Sequence, residues 1–156
     1  MKKFETEFKW AVYFMLLLFI WFYMEKLMGL HANYVRFEGI FSILILAPQA
    51  FLYHFALRQK REKYFKGNIS WKQAFFSGAI LTLIIAGLSP IVSYTTTAVI
   101  SPDFMDNLRM QTGQSKDIYS ANRFSTNLLF SLLSNGIVIA AIMAILIRQR
   151  EKTKSK

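Results

Sequence analysis

Residues 73–102 read QAFFSGAILTLIIAGLSPIVSYTTTAVISP, thirty consecutive positions from Gln73 to Pro102 without a Lys, Arg, Asp or Glu. A charge at the centre of a membrane helix costs about 2.5–3.5 kcal/mol on insertion scales. A helix rising about 1.5 Å per residue needs roughly 20 residues to cross hydrocarbon. The stretch therefore reads as a transmembrane helix. Three others lack charge: Trp10–Met24, Gly39–Leu57 and Phe124–Ile147, of 15, 19 and 24 residues. The first reaches spanning length with Phe8, Leu27 and Met28 added, while Lys9, Glu25 and Lys26 extend towards the interfaces. The expected fold is an all-α membrane protein of four transmembrane helices, at about 8–28, 39–57, 73–99 and 124–147, in one domain over residues 1–156 with a basic tail from 148 to 156.

Composition narrows the class. The 156 residues are 54% hydrophobic and carry a formal net charge of +10. Four uncharged core helices in a soluble chain of this length would leave too little polar surface to cover them. A basic nucleic-acid binder is the other reading of such a charge, but the cations cluster at span ends with no stripe along a helix, so no nucleic-acid partner is expected. The chain has no cysteine, which excludes disulfides, thiolate catalysis and cysteine-based zinc or iron–sulfur sites. No HExxH, GxSxG, Walker or dinucleotide motif is present, so neither a catalytic site nor a cofactor is expected. Lys2 and Lys3 could begin a cleavable leader, but Glu5, Glu7 and a run of bulky aromatics argue that the first span is retained.

Charge asymmetry gives the threading. Lys2, Lys3 and Lys9 precede the first span; Arg58, Lys60, Arg61, Lys63, Lys66 and Lys72 lie between the second and third; Arg148, Arg150, Lys152, Lys154 and Lys156 follow the fourth. These are 14 of the 19 cations. Basic flanks stay cytoplasmic, so both termini are expected inside. Arg58, Lys60, Arg61, Lys63, Lys66, Arg148 and Arg150 are then candidate contacts to anionic lipid. Gly67-Asn68 should close an extension of the second span, and Ser70 should cap the third. Ser101-Pro102-Asp103 reads as the start of a short interfacial helix in the outer loop, with Ser101 as its cap and Gly113 beyond its end.

Polar and small residues inside spans mark faces that meet protein. Glu38, Ser42, Gln49 and Tyr53 form one stripe; Gly78, Thr82, Ala86, Ser89, Ser93 and Thr96 form a second; Asn127, Ser131, Ser134 and Asn135 form a third, with Gly136, Ala140 and Ala144 below. Two readings follow. One is interhelical packing and hydrogen bonding, with Gly78, Thr82, Ala86, Gly136, Ala140 and Ala144 as the contact ladder. The other is a polar pocket open to the outer face, lined by Glu38, Ser42, Gln49, Ser89, Ser93, Asn127, Ser131 and Asn135. Pro48 and Pro90 each remove a helix donor and leave the carbonyls near Leu44 and Ala86 needing partners. Glu25, His31 and Glu38 form a candidate charge cluster at the outer ends of spans one and two.

Glu25-Lys26-Leu27-Met28-Gly29-Leu30-His31, the segment from Lys66-Gly67-Asn68-Ile69-Ser70-Trp71 to Gly78, Leu88-Ser89-Pro90 and Ile100-Ser101-Pro102-Asp103-Phe104 resemble the bacterial domain-of-unknown-function family 4199. The resemblance covers essentially the whole chain, although Met110–Asn122 carries less acidic content than it leads one to expect. It implies a small multi-pass inner-membrane protein and no activity. Three function classes follow in order: a non-catalytic accessory or interaction subunit, self-associating or joining a membrane complex through the small-residue faces of spans three and four; a small oligomeric transporter or channel subunit using the outer pocket; and a lipid- or envelope-modifying enzyme.

Overall fold

A computed structural model describes residues 3–113, 115 and 118–148, and every regular element among them is helical. Four helical segments are long and apolar enough to cross a membrane: Glu5–Leu27, Val35–Lys63, Trp71–Ile100 and Ala121–Ile147. The first is α1 (Glu5–Leu27), whose first turn carries Glu5 and Glu7 where the helix dipole favours acid. It runs beyond the charge-free stretch at its amino end.

The second segment is broken. A 3-10 turn at Val35–Phe37 leads into α2 (Glu38–Ser42), a second 3-10 turn occupies Ile43–Ile45, and α3 (Leu46–Lys63) completes it. Pro48 supplies the reason: it has no amide hydrogen to give the turn before it, and the helix tightens there. After Lys63 the chain turns through Gly67 at φ 92. α4 (Trp71–Thr95) then starts on a complete capping box, with Gln73 N donating to Ser70 Oγ and Ser70 N donating to Gln73 Oε1. Pro90 lies inside α4 without ending it. The carbonyl it orphans, that of Ala86, accepts from Ser89 Oγ at 2.8 Å. Five π-helical residues, Thr96–Ile100, end the segment.

The short helix α5 (Phe104–Thr112) stands between the third and fourth long segments and stops at Gly113, which has φ 67. Ser101 does not cap it as expected. Asp103 holds the cap position without a side-chain bond, and the Ser101 hydroxyl pairs with His31 instead. α6 (Ala121–Ile147) begins on a Ser120 cap.

α4 and α6 make the most extensive helix pair, with α1 against α4 and α3 against α6. The α4–α6 contact is close because of glycine. A Cβ on Gly78 would lie 2.6 Å from that of Ala140, and a Cβ on Gly136 would lie 2.5 Å from Thr82 Cγ2 and 2.7 Å from the Tyr53 hydroxyl. Lipid tails give no hydrophobic drive to such pairing, so close backbone approach and internal hydrogen bonds hold it. Large apolar side chains such as Phe51, Phe76, Leu83, Phe130 and Leu146 point outward, as helices surrounded by hydrocarbon require.

Candidate functional site

Two buried polar clusters stand at opposite ends of the bundle, and a cavity opens beside one of them. The buried face of α1 places a carboxylate at each end: Glu7, Ala11, Phe14, Leu18, Phe22 and Glu25 recur at helical spacing and are all buried.

At the Lys60 end, the Lys60 ammonium lies 2.9 Å from the Glu7 carboxylate. Ser77 Oγ donates to the same carboxylate at 2.6 Å, and Lys60 also donates to the carbonyl of Lys3. Its Nζ sits 4.4 Å from the centre of the Tyr64 ring. Lys60 is only 4% exposed. It therefore occupies a position unlike that expected of a lipid-facing cation, because Glu7 takes its charge inward. Arg58 pairs with Glu62 on the surface, Arg61 donates to the carbonyl of Ile147, and Lys63, Lys66 and Arg148 are exposed. Arg150 lies outside the described residues.

At the Glu38 end, Glu25 is fully buried. Its Oε1 accepts from Trp21 Nε1 and from Ser42 Oγ, both at 2.7 Å, and the same Ser42 oxygen lies 3.1 Å from Glu38 Oε1. His31 Nε2 is 3.5 Å from Glu25 Oε2, and its Nδ1 is 2.8 Å from Ser101 Oγ. The imidazole stacks on Phe104 with ring centres 4.2 Å apart. Asn107 donates to the carbonyl of His31 and Gln111 to that of Ala32, so α5 is clasped to the loop after α1. Glu25 thus stands between His31 on one side and, through Ser42, Glu38 on the other. The two carboxylates come from different helices, α1 and α2, as the candidate cluster at the outer ends of spans one and two anticipated. No group of three or more metal-ligating side chains is found among the described residues.

A cavity of about 970 Å³ opens between α1, the broken second segment, α5 and the first half of α6. It is large for a small-molecule pocket, for which roughly 300–1,000 Å³ is usual. Leu18, Phe22, Phe104, Leu128 and Leu132 give it apolar walls, and Trp21, Arg36, Glu38 and Tyr119 stand along it. Of the eight pocket residues expected from sequence, Glu38, Ser42, Gln49, Asn127, Ser131 and Asn135 line this cavity. Ser89 and Ser93 do not. They face the helix contact, where Ser89 serves the Ala86 carbonyl and Ser93 bonds Ser125 Oγ at 2.9 Å. Gln49 is 0% exposed and lies against the Tyr53 hydroxyl, and neither its Nε2 nor its Oε1 makes a hydrogen bond of full geometry within the chain.

The six packing residues lie where the helices meet. Tyr53 OH lies 2.8 Å from Thr82 Oγ1, which itself donates to the carbonyl of Gly78 at 2.9 Å, directly over Gly136. Ala86, Ala140 and Ala144 are buried. The chain uses this ladder internally, so a partner protein would have to meet another face. The Glu7–Lys60–Ser77 cluster had escaped sequence reading. Its signal was present in the spacing of Glu7 from Ala11 and Phe14, but α1 is apolar on every side, which hides the buried face.

A family model described as a protein of unknown function (DUF4199) matches residues 9–149. No curated protein and no solved structure matches the chain.

Proposed function

We propose, from the premise that the chain belongs to the DUF4199 family, that it is a bacterial inner-membrane protein acting by binding: a non-catalytic accessory protein that holds an amphiphile in the cavity beside Gln49. The observation that carries this reading is Gln49 itself. A buried amide with neither polar atom fully partnered costs about 1–3 kcal/mol per group, and in a native chain such a group calls for a partner that the chain itself does not supply, water or a ligand. Gln49 lies on the wall of a cavity with room for such a guest.

The positive-inside asymmetry of 14 cations among 19 supports both termini inside and the Glu38 end outside. In that orientation α5 lies at the outer interface, and Arg58, Lys63, Lys66 and Arg148 meet the anionic inner leaflet. Binding is favoured over conduction because the cavity lining reaches Gln49 and Asn135 and stops, while Glu7, Lys60 and Ser77 close the other end.

The chain has no native cysteine, so single cysteines test the reading directly. A membrane-impermeant thiol reagent added from outside should modify Ser42→Cys and Ser131→Cys in intact membranes and leave Ser89→Cys untouched. Amphiphile should slow the first two. If Ser42→Cys and Ser131→Cys stay as unreactive as Ser89→Cys, the outward cavity is lost as an explanation.

A further inference from the structure

Glu25 and Glu38 both approach one hydroxyl, that of Ser42, at 2.7 and 3.1 Å. A hydroxyl carries one proton and can serve only one carboxylate at a time. Two carboxylates this close repel unless something positive lies between or beside them. The chain supplies little. His31 stands 3.5 Å from the far oxygen of Glu25, and among the described residues no Lys or Arg side chain lies within ion-pair distance of either acid. Arg36, although it lines the same cavity, donates to the carbonyl of Gln111. Glu25 Oε2 is buried without a hydrogen-bond partner.

A cation reaching Glu38 from the cavity would relieve this repulsion. Glu38 and Ser42 line it, as do Trp21 and the incompletely partnered Gln49, while Leu18, Phe22, Leu128 and Leu132 continue as an apolar wall. A head group at the acids and a hydrocarbon chain along that wall would satisfy both parts. We propose that the cavity selects an amphiphile bearing an ammonium head group, with the ammonium on Glu38 beside Glu25 and a donor–acceptor group of the guest meeting Gln49. This rests on the binding reading above and adds the chemical class of the guest. A metal ion fits less well, since Glu25, His31 and Glu38 are not arranged as a group that could hold one.

The test uses the full chain in nanodiscs holding equal amounts of phosphatidylethanolamine and phosphatidylglycerol with identical acyl chains, followed by native mass spectrometry of the retained lipid. The wild type should retain phosphatidylethanolamine in about tenfold preference, the size expected of one charge-assisted contact. Glu38→Gln should keep lipid but lose the preference, and Arg58→Gln should keep both. Ser131→Trp, which fills the cavity from its rim, should retain no lipid while its helical circular dichroism stays unchanged. Lipid retained by the wild type in the bulk ratio, or with phosphatidylglycerol enriched, and lost in Ser131→Trp would overturn the head-group assignment and leave the cavity reading standing. Retention equal in the wild type and Ser131→Trp would remove both. A preference unchanged in Glu38→Gln would also overturn the assignment.

Discussion

Lys60 and Glu7, 53 residues apart in sequence, form an ion pair at 2.9 Å that is almost entirely buried between α3 and α1. Ser77 ties the same carboxylate to α4, so three helices converge on one anion. Its value lies in geometry. Taking two charges from water costs much of what their attraction returns, but once they are buried neither can be left alone.

Glu7→Gln is expected to lower the unfolding free energy by about 3 kcal/mol, the usual cost of orphaning one member of a buried pair. The double change Glu7→Gln with Lys60→Met should recover a large part of that loss, because no charge remains buried. Titration with denaturing detergent, followed by helical circular dichroism, gives both values. A loss below about 1 kcal/mol in the single variant would mean that water reaches Lys60 and that the pair behaves as a surface one.

The α4–α6 contact makes a different prediction, based on volume. Gly136→Ala places a methyl group 2.5 Å from Thr82 Cγ2 and 2.7 Å from the Tyr53 hydroxyl, so the Tyr53–Thr82 hydrogen bond must shift. Overpacking of this kind costs typically about 1–3 kcal/mol. Gly78→Ala meets Ala140 Cβ at 2.6 Å and its Cα at 3.3 Å, with backbone behind the contact, and should be at least as damaging. Gly87→Ala is the control: a Cβ there meets nothing within 4 Å. It should leave stability unchanged or slightly raised. Equal effects at all three positions would show that helix propensity, not close approach, governs these glycines.

Ser89 and Pro90 should be coupled. Pro90 offers no amide hydrogen to the Ala86 carbonyl, and Ser89 Oγ takes its place at 2.8 Å. Ser89→Ala is expected to cost about 1 kcal/mol, a typical net hydrogen bond. In a Pro90→Ala background the backbone donor returns, and the same serine change should then cost close to nothing. A double-mutant cycle isolates that difference. Identical losses in both backgrounds would detach the serine from the proline.

The spans were legible because absence of charge is a signal along one dimension: thirty uncharged residues at Gln73–Pro102 need no partner to be recognised. Local chemistry was legible for the same reason, as with the Ser70 cap and the disturbance that Pro48 brings to the turn before it, although the reciprocal Gln73 bond and the 3-10 form of that turn emerged only in the structure. Contacts between spans were harder. α1 is apolar towards lipid and towards protein alike, so its periodicity did not announce that Glu7 and Glu25 lie on the buried face. Ser101 had the right position to cap α5, but His31, 70 residues earlier, claims its hydroxyl. The polar stripes were visible as stripes; which serines face the cavity and which face a helix was decided by packing. Ser42 and Ser131 line the cavity, whereas Ser89 and Ser93 turn to backbone carbonyls and Ser125.

Gln49 carries the sharpest consequence, because stability and binding should move in opposite directions there. With no guest present its amide is buried and not fully partnered, and its burial is a debit to the fold. Leucine has nearly the same volume and no polar atom to satisfy. Gln49→Leu in lipid-free detergent is therefore expected to raise the unfolding free energy by about 1 kcal/mol or more. The same variant should retain less amphiphile when taken from membranes, since the group meeting the guest is gone. Measuring both on one preparation separates the explanations. A variant that loses stability and retention together would show that ordered water already satisfies the amide and that Gln49 supports the cavity wall. A variant that gains stability and keeps its guest would place the binding energy elsewhere, on Glu38 and Ser42. Only the opposed pair of changes fits an amide held in reserve for a ligand.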